Sequence, residues 1–79
     1  MVYDNKKVEE IMDRIKKGED YTIACSMYEE YFWYKDGNWY KSMENGMNEP
    51  IPRKTTEDAV KRGVIQALMF PEMYDGFFE

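Results

Sequence analysis

Apolar residues recur along the chain with a helical period near both ends and a strand period in between. Residues 4–17 carry an apolar residue at every third or fourth position, which is typical of one buried helix face. Asp4 is a suitable N-cap for this helix, and Gly18 follows it as a C-terminal stop. The buried stripe is predicted to consist of Val8, Ile11, Met12 and Ile15.

The second helical pattern covers residues 55–70 and ends before Pro71, which cannot continue a helix. Thr55 is the expected N-cap. Gly63 lies in mid-helix, where glycine costs about 1 kcal/mol relative to alanine, so we expect it to permit a close approach to the sheet or to the first helix. Opposite charges four residues apart predict ion pairs on both helices, namely Glu10–Arg14, Asp13–Lys17, Glu57–Lys61 and Asp58–Arg62.

Between the helices, residues 29–44 contain two aromatic runs separated by Asp36-Gly37. Asp-Gly favours a two-residue type I′ turn, because both central residues need positive φ. This turn would pair Tyr34 with Trp39 and Trp33 with Tyr40. Since opposed residues share a face, one face would carry Phe32, Tyr34, Trp39 and Met43, and the other Tyr31, Trp33 and Tyr40. A three-residue loop would shift the register by one, but both faces would still carry aromatic rings.

Residues 21–27 alternate in the manner of a strand and would join the hairpin through a tight turn near residues 28–29. Cys25 would then lie in the middle of a strand as a small buried hydrophobe. As the chain has one cysteine and no histidine, nothing is available to activate this thiol as a nucleophile.

The expected fold is α+β: a helix, a three-stranded antiparallel meander and a helix (αβββα). The chain is short enough for one domain, residues 1–79. Residues 45–54 contain two prolines and are predicted as loop. Residues 71–79 are predicted as a short aromatic and acidic C-terminal tail. Two interpretations of the tail stay open: it packs back onto the domain, or it is a flexible arm that docks on a basic groove.

The composition argues against several kinds of functional site. Without histidine or paired cysteines we expect no metal site, no cofactor and no catalytic residue. No apolar run reaches the roughly 20 residues of a membrane span, and the lone thiol suits a reducing cytoplasm. The net charge of −5 disfavours direct nucleic-acid binding. It does suit a partner protein with a basic surface.

The second aromatic face of the hairpin is the main functional clue, because exposed apolar patches mark interaction sites. Tyrosine and tryptophan are favoured at protein interfaces. Three interpretations stay open: long neighbouring side chains cover the patch, a partner protein binds it, or it forms a homodimer interface. The candidate partner-binding residues are Tyr31, Trp33, Tyr40, Glu29, Glu30, Glu72, Asp75 and Glu79.

The aromatic strand–Asp-Gly–strand unit followed by TTEDAVKRGVIQALM resembles small phage-encoded proteins of α-β-β-β-α order. These include phage ABA-sandwich proteins, some anti-CRISPR inhibitors and host-takeover proteins. The resemblance implies a non-enzymatic protein of the host bacterial cytoplasm that inhibits a nucleic-acid-handling protein. It also implies that acids play the part of phosphates, the candidates being Glu19, Asp20, Glu29, Glu30, Glu72, Asp75 and Glu79. The chain departs from strong mimics in its eleven basic residues, which dilute the field.

Overall fold

The computed structural model describes residues 3–47 and 49–79, which form an α+β fold. Residues 1, 2 and 48, which belong to the predicted domain and loop, lie outside this range. Five antiparallel strands in the described range form one sheet in the order β4-β3-β2-β1-β5. The elements are α1 (Asn5–Lys16), β1 (Tyr21–Ala24), β2 (Glu29–Lys35), β3 (Asn38–Glu44), β4 (Arg53–Thr55), α2 (Glu57–Met69) and β5 (Asp75–Phe78).

The two helices begin at side-chain caps. The Asp4 carboxylate accepts from the backbone N–H groups of Lys6 and Lys7, which confirms the predicted cap of α1. The prediction of Thr55 as the cap of α2 is wrong: Thr56 accepts from the N–H of Ala59. Thr55 is the last residue of β4, where it is committed to pairing with β3.

The hairpin has the predicted two-residue turn. Asp36 and Gly37 have φ values of 52° and 81°, as a type I′ turn requires. Tyr34 pairs with Trp39 and Trp33 with Tyr40. The register that sorts the two aromatic faces is therefore confirmed, and the three-residue loop is not formed.

The predicted three-stranded antiparallel meander forms from β1, β2 and β3, but two further strands extend it, so the αβββα order and the separate tail are not confirmed. Within the predicted loop, Arg53–Thr55 pair with β3. In the predicted tail, Asp75–Phe78 pair with β1. The Phe78 ring lies 4.7 Å from that of Tyr21, so this segment packs back onto the domain. The αβββα order thus becomes α1-β1-β2-β3-β4-α2-β5.

The first strand is shorter than predicted. It ends at Ala24, and the N–H of Cys25 donates to the carbonyl of Tyr28 at 2.9 Å. Cys25 therefore lies half-buried in a turn, not in mid-strand. Met27 is 79% exposed and does not share the buried face of β1. The tight connection to β2 uses these residues for a turn, which overrides their alternating pattern.

One core fills the space between the two helices and one face of the sheet. Both helical stripes face the strand residues Tyr21, Ile23, Phe32 and Trp39. A Cβ built on Gly63 would lie 3.3 Å from Cζ of Phe32. The expected close approach of α2 to the sheet is therefore confirmed. Met43, which shares this face, lies beyond the helices and is 46% exposed. The opposite face, which we call the open face, has no helix against it.

Gly76→Ala is expected to destabilise the protein by about 1–3 kcal/mol, as overpacking does. A Cβ at Gly76 would overlap the Tyr21 hydroxyl oxygen and lie 2.9 Å from Cζ. Tyr21 is only 3% exposed and has little room to move. Chemical denaturation measures the loss, and Tyr21→Phe should recover part of it in the double variant. Equal losses with and without the hydroxyl would contradict this steric account.

Candidate functional site

The open face carries the aromatic residues that sequence alternation assigned to it. Tyr31, Trp33 and Tyr40 are half-buried, and no core residue lies among them. The Trp33 and Tyr40 rings stack across the strands, with centroids 5.8 Å apart and planes at 14°. Stacked rings of this kind form a rigid apolar surface. Neighbouring side chains therefore cover the three rings in part, and each ring keeps some accessible surface.

A second cross-strand row on the open face places small residues beside Tyr31. The row runs from Ser42 through Tyr31 and Thr22 to Phe77. Phe77 is 40% exposed and extends the apolar surface onto β5. Sequence reasoning missed Phe77 because the face it belongs to exists only once β5 pairs with β1.

Thr22→Val is expected to stabilise the protein by about 1–2 kcal/mol. Thr22 is 1% exposed, and among the described residues its Oγ1 has no hydrogen-bond partner. Valine keeps the shape and removes the cost of burying an unpaired hydroxyl. Thermal and chemical denaturation measure the gain. Destabilisation would show that the hydroxyl is hydrogen-bonded in solution.

Carboxylates border one end of the aromatic patch. Glu29 and Glu44 are directly opposed on β2 and β3. The Tyr31 hydroxyl lies 2.8 Å from an oxygen of Glu29 and 3.0 Å from one of Glu44, so the two carboxylates share its single proton. Hydrogen bonding to Glu29 is the main cause that raises the pKa of Tyr31, followed by burial and the Glu44 bond. Like charges in directly opposed positions repel, and no basic residue of the described chain pairs with Glu29 or Glu44 to offset this repulsion.

The C-terminal segment brings the carboxylates of Asp75 and Glu79 to the open face, which also carries Asp20 just before the start of β1. Asp75 pairs with Ala24 in register, at the same end as Glu29. At the other end of β5, the N–H of Glu79 donates to the carbonyl of Asp20 at 3.2 Å. The side chains of Asp20 and Glu79 both line a hollow beside Trp33.

Not every candidate residue joins this face. The structure places Tyr31, Trp33, Tyr40, Glu29, Asp75 and Glu79 on it. Glu30 points to the other side of the sheet, where it pairs with Lys41 at 3.7 Å. Glu72 is exposed in the turn after α2 and lies outside the paired strands. Glu44 was missed as a candidate, although its place opposite Glu29 followed from the predicted register.

Ion pairing leaves the acids of the open face without basic partners. Six ion pairs join described residues, and all lie on the helices, the loop after α1 or the helix side of the sheet. The predicted pairs Asp13–Lys17 and Asp58–Arg62 form. The predicted pairs Glu10–Arg14 and Glu57–Lys61 do not. Arg14 pairs instead with Glu19, which links α1 to the loop after it, and Lys61 pairs with Glu9, which links α2 to α1.

The open face contributes −3 of the chain's net charge of −5, since it carries five carboxylates and two lysines. Six of the eleven basic residues, which were expected to dilute the electrostatic field, pair with acids of the helical side. On the open face, strand alternation places only Lys35 and Lys54 among the described basic residues. The face carries the five carboxylates of Asp20, Glu29, Glu44, Asp75 and Glu79, none paired with a basic residue of the described chain.

Comparison with protein-family models, curated proteins and solved structures finds no match to this chain. Within residues 3–47 and 49–79, no cluster of His, Cys, Asp or Glu is arranged to hold a metal ion. The helices of the same range are too short or too polar to cross a membrane. By its fold and site, the protein is an α+β domain whose sheet has one open aromatic face bordered by acidic residues.

Proposed function

We propose that the protein is a non-enzymatic binding protein whose open face docks on a basic surface of another protein. The observation that carries this proposal is the aromatic patch of Tyr31, Trp33 and Tyr40 bordered by five carboxylates without basic partners. Aromatic anchors supply contact energy at the centre of an interface. Surrounding charges of one sign steer a partner of the opposite sign.

The charge of the face argues for a different partner over a second copy of this chain. A two-fold dimer through the open face would place the same patch of both copies in contact. The interface would then gather ten carboxylates from the two copies against four lysines, Lys35 and Lys54 of each. Juxtaposed like charges cost several kcal/mol in total. The homodimer is therefore the second candidate.

The resemblance to phage proteins suggests which basic surface is bound. Surfaces that bind nucleic acid are rich in lysine and arginine that contact phosphates. An acidic face of this kind would occupy such a surface and exclude the nucleic acid, which is inhibition by charge mimicry. We accordingly propose a bacterial nucleic-acid-handling protein as the target, in the host cytoplasm.

Affinity capture from bacterial lysate tests the proposal when it compares the wild type with a charge variant. In the triple variant Glu29→Gln, Glu44→Gln, Asp75→Asn, the open face keeps its rings and loses three charges. Raising ionic strength from about 0.1 to about 1 M shortens the Debye length from about 10 to about 3 Å. We expect one stoichiometric basic protein that is lost both in the variant and at high salt.

Two further observations complete this test. The captured protein should lose affinity for its nucleic acid when the wild-type protein is added, in proportion to occupancy. A partner that binds the triple variant equally at high salt would contradict charge mimicry. Sedimentation of the protein alone as a dimer, with no partner captured, would instead support the homodimer.

A further inference from the structure

A small hollow on the open face is lined by both aromatic rings and two acidic residues. It has a volume of about 350 Å³ and is lined by Asp20, Tyr31, Trp33, Ser42 and Glu79. Ligand pockets for whole small molecules span about 300 to 1,000 Å³, so this hollow, near the lower end of that range, has ample room for a single side chain. Neither of its carboxylates has an ion-pair partner among the described residues.

The other side of the sheet holds a filled version of the same arrangement. There the Arg14 guanidinium lies 3.7 Å from the centroid of the Phe78 ring. It also donates to both carboxylate oxygens of Glu19, at 2.6 and 2.7 Å. The hydrogen bond to Glu19 is the main cause that raises the pKa of Arg14, and the one to Arg14 lowers that of Glu19.

The two arrangements are neighbours along the chain, because Glu19 and Phe78 directly precede Asp20 and Glu79. Glu19 and Phe78 contact Arg14 on the helix side, whereas Asp20 and Glu79 line the hollow on the open face. The helix side therefore presents a ring, a carboxylate and an arginine. The open side presents rings and two carboxylates, with no basic residue in the lining.

The geometry points to this hollow as a subsite for an arginine side chain of the partner, an inference that rests on the proposed function and specifies its chemistry. The guanidinium stacks on Trp33 or Tyr31 and forms charge-assisted hydrogen bonds with Asp20 and Glu79. Arginine is favoured over lysine because its planar group both stacks and offers several donors in a fork.

Titration of the protein with capped tetra-arginine and tetra-lysine peptides tests the subsite. The two peptides carry equal charge, so nonspecific attraction treats them alike. We expect tetra-arginine to bind about tenfold more tightly. In NMR spectra it should shift the indole N–H signal of Trp33 and leave that of Trp39, buried in the core, unchanged.

Matched variants assign the effect to the hollow. Asp20→Asn with Glu79→Gln should remove the preference for arginine. Glu10→Gln with Glu72→Gln changes the net charge equally, away from the open face, and should retain it. Equal binding of both peptides to the open face would overturn the arginine subsite and leave the proposed docking face intact. The absence of any shift at Trp33 would overturn the subsite as well, while the capture experiment decides the docking face separately.

Discussion

Phe32→Ala is expected to lower the free energy of unfolding by about 3–5 kcal/mol, and Trp33→Ala, one residue further, by only about 1 kcal/mol. Phe32 is 2% exposed and fills the space below Gly63. Trp33 is half-buried on the open face and contacts Tyr40. A domain of this length is stable by about 4–12 kcal/mol, so the first change removes a large share of the total.

Urea denaturation of both variants measures this difference between neighbouring residues. Truncation of Trp33, the larger residue, should lower the free energy of unfolding less than truncation of Phe32, because the contacts of Trp33 do not hold the helices to the sheet. Comparable losses at the two positions would mean that the open face is part of the core. The assignment of the two faces would then be wrong.

Trp33→Ala with Tyr40→Ala is expected to leave a folded monomer that binds its partner about 100-fold more weakly or worse. Aromatic anchors at the centre of an interface contribute about 2 kcal/mol or more each. Since truncation costs at such positions are not additive, the double variant should lose about 100-fold to 1,000-fold in affinity. The cost to folding should stay near about 2 kcal/mol, since neither ring reaches the core. Calorimetry against the captured partner measures the affinity.

A matched control for this variant removes apolar surface elsewhere. Met27 and Met73 are 79% and 60% exposed and lie near the turn after β1, away from the rings. Met27→Ala with Met73→Ala should keep full affinity. If the control variant lost binding and the aromatic variant kept it, the interface would lie around this turn. If the aromatic variant unfolded a dimer, the homodimer would be the better account.

The hairpin and the faces of its rings were predictable because the decisive signals are local. A two-residue turn at Asp36-Gly37 fixes the register of both strands, and the register fixes which rings share a face. The buried stripe of α1 follows from the same kind of local periodicity. These features need no knowledge of the rest of the chain.

The edge strands were not predictable from such signals. Arg53–Thr55 is three residues long and follows two prolines, so its local pattern is that of a loop. Asp75–Phe78 contains a glycine and pairs with β1, about fifty residues away in the sequence. Its place in the sheet depends on long-range packing of Phe78 against Tyr21.

The part of the acidic border that lies beside β1 could not be predicted for the same reason. It arises only when β5 carries Asp75 and Glu79 to the side of β1 that also bears Asp20. The sequence contains eleven basic residues spread along the chain, which predicts that they weaken the negative electrostatic field of the acids. The ion pairs between helices, such as Lys61 with Glu9, require the tertiary fold and separate the charges.

Hydroxyl-radical footprinting of the protein, free and bound to its captured partner, tests the docking face most directly. The account predicts strong protection of Tyr31, Trp33 and Tyr40 in the complex. The exposed Met27 and Met73 should be oxidised at unchanged rates and serve as internal references. Protection of the methionines with unchanged oxidation of Trp33 would contradict the claim that the open face is the binding surface.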